Sequence, residues 1–152
     1  MKIAIAADHA GFQIKEELLK ELKALGHETL DLGTHDPSQP SDYPDFAQAV
    51  GTALLAGKVH RGVIVCGSGV GVCIAANKIP GVLAGVCHDT YSARQGVEHD
   101  DMNVLCVGQR VIGVELAKEV LRAFLNARFS VTEPRHVARL EKVRALEKRY
   151  LK

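Results

Sequence analysis

Cys66-Gly67-Ser68-Gly69-Val70-Gly71 puts a thiol, a hydroxyl and three glycines at alternate positions within six residues. Glycines leave backbone N–H groups unshielded, and at the start of a helix such groups suit an anion or a developing oxyanion. A thiol in that setting has its thiolate favoured, the condition under which cysteine becomes a base or nucleophile near neutral pH. The bland alternative for Cys66, as for Cys87 and Cys106, is a small buried hydrophobe at the end of an apolar run. Asp8-His9-Ala10-Gly11 offers an acid/base pair, or else a capped turn leading into a helix. His88-Asp89 and Gly108-Gln109-Arg110 also follow apolar runs. Arg135 and Arg139 are four apart and share a helix face. Arg135 stands in a first turn, where a cation opposes the helix dipole, and a phosphate nearby would remove the conflict. The alternative for the pair is a solvated charged face.

Several chemistries are excluded or weakened. A dinucleotide fingerprint needs glycine at position 72, which is Val72, although Asp89 lies about where a ribose-binding acid would be. No Gly-Lys-Ser/Thr follows the loop, so a phosphate-binding P-loop is out. His9, His88 and His99 each neighbour an Asp, yet no two histidines have the helical spacing of a metal pair, and no metal or other cofactor is expected. Cys66, Cys73, Cys87 and Cys106 are 7, 14 and 19 residues apart, neither a redox pair nor a zinc ribbon, and read as free thiols of a reducing, cytoplasmic setting. Lys plus Arg (19) against Asp plus Glu (18) leaves +1, too balanced for nucleic acid or an anionic membrane as main partner. No run approaches the roughly 18 apolar residues of a membrane span, and the apolar start of the chain is too short for a signal peptide.

The elements that must position these residues alternate along the chain. Short apolar runs at 2–7, 27–32, 62–66, 82–87 and 103–107 read as strands buried on both faces of a parallel sheet. Helical periods fill the intervals: 12–25 ending at Gly26, a second opened by Pro44 and ending at Gly57, 69–78, one after Asp89, and 113–126. The segment 33–41 reads as irregular, and 31–45 carries four Asp and no cation. The 152 residues predict one domain of Rossmann-like, three-layer α/β/α architecture with a five-stranded parallel sheet. In such a sheet ligands bind beyond the carboxyl ends of the strands, which gathers the Asp8, Cys66, His88 and Gly108 loops. The position of His99 is left open, because the helix after Asp89 would carry it back towards the other end. An extra helix, 134–150, has no strand to return to. From Pro134 to the chain end seven Lys and Arg face two Glu, and Val137, Leu140, Val143 and Leu146 form a stripe that must pack on its own domain or on a second subunit.

Taken together, Asp8-His9-Ala10-Gly11, Asp42-Tyr43-Pro44, the run from Cys66 to Lys78, Tyr91-Ser92-Ala93, His99 with Asn103-Val104-Leu105, Gly108 to Gly113, and Arg135-His136 with Arg139 resemble ribose-5-phosphate isomerase type B and its sugar-phosphate isomerase relatives over essentially the whole chain. The resemblance implies a metal-independent interconversion of D-ribose 5-phosphate and D-ribulose 5-phosphate through a cis-enediolate. It implies Cys66 as the base that moves a proton between C2 and C1. Another branch uses a glutamate where this chain has Val72. Ser68 would move protons between the sugar oxygens, the backbone of Gly67, Gly69, Val70 and Gly71 would hold the enediolate, and Asp8 with His99 would open the sugar ring. His9, Arg135 and Arg139 resemble the phosphate ligands, with Arg110 beside them, and Asn103 would contact sugar hydroxyls. The implied assembly is a homodimer, with tetramers in the family, whose sites are shared between subunits. Glu133-Pro134 stands where relatives commonly have glycines, and Cys73 where serine is frequent. Allose 6-phosphate and galactose 6-phosphate isomerisation are the sister activities, and a non-catalytic nucleotide-binding module is the alternative of another class.

Overall fold

Ile3, Ile5 and Ala7 on one side of the first strand, and Ala4 and Ala6 on the other, are all closed to solvent. That strand therefore needs cover on both faces, and the computed structural model, which describes residues 1–151, supplies it. In chain order the elements are β1 (Lys2–Ala7), α1 (Phe12–Ala24), β2 (Glu28–Asp31), α2 (Tyr43–Leu55), β3 (Arg61–Cys66), α3 (Val70–Ala76), β4 (Ala84–Val86), α4 (Thr90–Asp100), β5 (Val104–Gly108), α5 (Val114–Asn126) and α6 (Pro134–Tyr150), with a 3-10 turn at His9–Gly11. The sheet is wholly parallel, in the order β2-β1-β3-β5-β4. Successive side chains of a strand face opposite layers. Ile3, Ile5, Val63 and Leu105 meet α1, α4 and α5, whereas Ala4, Ile64, Cys66 and Cys106 meet α2 and α3. The expected three-layer α/β/α fold is the observed one.

The chain steps outward from β1 to β2 and then returns past β1 to β3. This reversal opens a crevice beyond the carboxyl ends of β1 and β3. The register sets Ala7 beside Val65 and Cys66 beside Gly108, so the loops after β1, β3 and β5 start at one level.

Of the elements shorter than the sequence pattern suggests, such as β2 at Glu28–Asp31 against 27–32, two have a visible cause. The run 82–87 yields a strand only at Ala84–Val86, because the Asn103 side chain takes over its beginning: Oδ1 accepts the Leu83 N–H at 2.8 Å and Nδ2 donates to the Gly81 carbonyl at 2.9 Å. Asn77 covers the open edge of β4 in the same manner, bonding both the N–H and the carbonyl of Ala84 at 2.9 Å. An edge strand covered this way presents fewer free groups to another sheet. Helix α3 spans Val70–Ala76 rather than 69–78. At its start Gly69 takes a left-handed turn, φ +78°, that sets the helix off from the loop. At its end the N–H groups of Lys78 and Ile79 bond only three residues back, to the carbonyls of Ala75 and Ala76 at 3.1 Å. One buried charge was not legible in the pattern. Lys15, fully buried on α1, donates to both oxygens of Asp31 at 2.9 and 3.0 Å, which compensates its desolvation.

Candidate active site

The first wall of the crevice is built by Asp8. Its carboxylate caps the 3-10 turn, Oδ1 accepting from Ala10 N at 3.0 Å and Gly11 N at 3.1 Å. Gly11 then lies flat on the Val65–Cys66 backbone, where any Cβ would collide. The β1 loop is thereby pressed against the end of β3. His9 projects from the same turn into solvent and is held by Ser41: the Ser41 N–H donates to Nδ1 at 3.3 Å, and the His9 N–H donates to Ser41 Oγ at 3.0 Å. With Nδ1 accepting, the neutral ring carries its proton on Nε2, a donor facing outward. The irregular 33–41 segment thus has a structural task, which is to return Ser41 to His9.

The second wall is the glycine loop. Cys66 ends β3 with its side chain 5% exposed, and its Sγ accepts the Gly69 N–H at 3.1 Å. The exposed Ser68 hydroxyl accepts from Val70 N at 3.1 Å, which turns the chain into α3. The turn after β5 buttresses this loop, Gln109 N donating to the Cys66 carbonyl at 2.9 Å and Arg110 N to the Gly67 carbonyl at 3.0 Å. The Arg110 guanidinium lies over Gly67, 3.2 Å from where a Cβ would stand. Tyr43, in the first turn of α2, closes the remaining side, its ring 3.0 Å from the Cβ position of Gly71. These walls enclose a cavity of about 420 Å³ with Asp8, His9, Cys66, Ser68 and Arg110 on its surface. A thiol, a carboxylate, an imidazole, a hydroxyl and a guanidinium around one small space can exchange protons with a polar substrate and bind an anionic group on it.

The cavity gathers seven of the anticipated residues: Asp8, His9, Cys66, Gly67, Ser68, Gly71 and Arg110. Gly69 and Val70 belong to the same loop. Four others lie elsewhere. Helix α4 runs back against the strand direction, so His99 reaches the amino end of the sheet, near the start of β5. Cys66 is at the far end of that sheet, four strand residues or about 13 Å away along the strand direction. His99 stacks on His136 with ring centroids 3.9 Å apart. His136 sits in the first turn of α6 between the exposed Arg135 and Arg139. Desolvation, then the nearby His99 and Arg135, holds the His136 imidazole below its ordinary value. Asn103 also lies at the amino end, its amide bonded to residues 81 and 83. One chain therefore carries two separate polar clusters, a proton-handling one and a cationic one.

Tyr43 was missed as a wall of the cavity, although the Asp-Tyr-Pro helix start that places it was visible. The other thiols divide by burial. Burial, helped by Asp89, pushes Cys87 up to about 11. A hydrogen bond with Cys106 and one from the Asn77 amide lower Cys73 to about 7 against the opposing effect of burial, while Cys106 is driven upward in the same contact.

Comparison with known proteins gives consistent findings. The family described as ribose/galactose isomerase matches residues 3–143. Ribose-5-phosphate isomerase B of Escherichia coli (strain K12) is 44% identical over 148 residues, 97% of this chain and 97% of that protein. D-erythrulose-4-phosphate isomerase of Pectobacterium atrosepticum is 40% identical over 129 residues, 85% of each. Among solved structures, that of ribose-5-phosphate isomerase B from Clostridium thermocellum superposes with a TM-score of 0.94 at 43% identity, covering 99% of both chains.

Proposed function

The chain belongs to the ribose/galactose isomerase family, and from that premise we propose that it interconverts D-ribose 5-phosphate and D-ribulose 5-phosphate, with Cys66 as the base, in a site that two copies of the chain build together. The observation that carries this reading is the buried Cys66 thiol, oriented by the Gly69 N–H and set beside Asp8, Ser68 and Arg110 in one cavity. Aldose-to-ketose isomerisation moves one proton from C2 to C1 and one from O2 to O1. Cys66 takes the C2 proton as the cis-enediolate forms and returns it to C1. The exposed Ser68 hydroxyl passes the oxygen-bound proton across, and N–H groups of the 67–71 loop hold the enediolate charge where it develops. Asp8, its carboxylate fixed by two N–H bonds, takes the proton of the anomeric hydroxyl as the cyclic sugar opens, while the ring oxygen receives a proton from an acid opposite.

Ring opening and phosphate binding need more than this cavity holds. The Nε2–H of His9 and the Arg110 guanidinium reach one side of a phosphate, while His99, Arg135 and Arg139 stand at the other end of the same molecule. A two-fold axis that sets the amino end of one copy against the carboxyl end of the other completes both sites at once, since such an interface is reciprocal. His99 of one copy then pairs with Asp8 of the other. Arg135 and Arg139 meet the phosphate, which adds a second anion at the start of α6 to the Glu133 carboxylate that Arg135 already faces at 3.7 Å. The exposed Val143 and Leu146 of α6 suit the same contact.

The test is conversion of D-ribose 5-phosphate in D2O with a chelator present, followed by NMR. Ribulose 5-phosphate with deuterium at the transferred position is the expected result. Turnover only of a four- or six-carbon sugar phosphate would keep the chemistry and reassign the sugar. No turnover of any would overturn the reading.

A further inference from the structure

His88 lies outside the cavity, and none of the steps above uses it. It follows β4, where Cys87 N still bonds the Cys106 carbonyl at 3.2 Å, and its Nε2 accepts the Gly108 N–H at 2.8 Å. Gly108 is the strand partner of Cys66. The glycine loop rests directly on it: a Cβ on Gly108 would stand 2.6 Å from the Ser68 carbonyl group, and a Cβ on Gly69 would stand 3.0 Å from Val107 C. The next two N–H groups of the turn, on Gln109 and Arg110, bond the carbonyls of Cys66 and Gly67. Three successive N–H groups thus tie this turn in place, two to the thiol loop and the first to the His88 ring. An N–H donor requires a bare ring nitrogen, so Nε2 is unprotonated and the ring is the neutral Nδ1–H form. Protonation would set two donors face to face.

We propose that His88 is a positioning residue which, only while its imidazole is neutral, holds the Gly108 turn and through it the Cys66–Ser68 loop, so that activity is lost in acid from outside the substrate cavity. The inference rests on the isomerase reading for its effect on turnover, though not for the contact itself. Desolvation holds His88 below its ordinary value, with Asp89 pulling the other way. Asp89 accepts the Ser92 N–H at 2.6 Å and is itself held low by that contact, so it stays charged across the range concerned. Cys87 on the other side is neutral there. Arg110, on the turn itself, directs its guanidinium over Gly67.

The experiment compares wild type, His88→Gln and His88→Leu between about pH 8 and about pH 5. Glutamine keeps an acceptor that does not titrate, and leucine removes it, leaving the Gly108 N–H without a partner. Expected are a kcat within about three-fold of wild type for His88→Gln near pH 8, with its acid limb shifted down or flattened, and a loss of roughly ten-fold or more for His88→Leu. Identical acid limbs for wild type and His88→Gln would overturn the proposal. The contact is read without substrate by NMR. The Gly108 amide shift should follow the His88 protonation midpoint in wild type and stay flat through that range in His88→Gln. An Nε2-protonated ring at neutral pH, or a Gly108 amide indifferent to His88, would overturn the proposal whether or not the protein turns over a sugar. Absence of turnover in wild type with an intact His88–Gly108 titration would refute the isomerase reading and leave the contact standing.

Discussion

A thiol that is 5% exposed and accepts the Gly69 N–H at 3.1 Å has little freedom to move, so its value to catalysis depends on where the substrate carbon settles above it. If Cys66 shuttles the proton, Cys66→Ala should lower kcat by about three orders of magnitude while substrate affinity, measured calorimetrically, changes little. Turnover within a few-fold of wild type would remove Cys66 from the chemistry. Arg139→Ala should do the reverse, raising KM roughly ten-fold with a smaller change in kcat, because a phosphate far from the reacting carbons is held alike in ground and transition states. An unchanged KM would take Arg139 out of the phosphate site. Titration acts at this scale too. His27, His88 and His136 are all lowered from 6.5, with desolvation the largest cause in each, so the fold favours their neutral forms. The stability they contribute is complete above about pH 6.5 and is lost as pH falls through their lower folded values. The melting temperature should therefore decline between about pH 7 and about pH 5, and a flat profile there would contradict it.

Elements were legible where one physical cause set them and less so where a distant side chain did. The apolar runs of β1, β3 and β5 required burial on both faces, and that alone placed them. The short β4 depends on Asn103, 20 residues away, and on Asn77, 7 residues away, which no local pattern encodes. The same divide runs through the site. Cys66 to Gly71 could be read because loop and helix start are contiguous, whereas Tyr43 and His88 matter through Gly71 and Gly108, contacts that exist only once the sheet is assembled. Close approach of this kind can be tested on the 3-10 turn. Gly11→Ala would force a Cβ into the Val65 backbone, which belongs to a central strand and has nowhere to move. The expected cost is at least ~2 kcal/mol in urea unfolding. Gly26→Ala, at φ +83° with nothing within 4 Å, should lose only the ~1 kcal/mol of a left-handed alanine. Equal costs would mean that packing of the turn on β3 contributes nothing.

At the scale of the whole molecule, parallel strands and the reversal between β1 and β3 dictate that the loops bearing Asp8 and Cys66 share one end. The antiparallel run of α4 dictates that His99 leaves for the other. Sequence alone left His99 open because that depends on whether the residues before β5 fold back over the sheet, and they do not. Helix α6 resolves in a similar way. Leu140 of its apolar stripe is buried against the chain's own core region, while Val143 and Leu146 stand 44% and 57% exposed. The stripe therefore serves the protomer at one turn and is open to a partner at the next. If two copies share each site, a protomer lacking its thiol and a protomer lacking its arginine are defective in different halves. In a mixed dimer of Cys66→Ala with Arg139→Ala, one site combines both lesions, and the other combines an intact Cys66 with an intact Arg139. Random reassortment makes half of the dimers mixed, so equal amounts of the two variants, unfolded and refolded together, should regain about a quarter of wild-type kcat/KM. Each variant refolded alone should stay at its own low level. A site confined to one chain would give the mixture no more than the mean of its parts, because no reassortment of whole chains could place an intact Cys66 beside an intact Arg139.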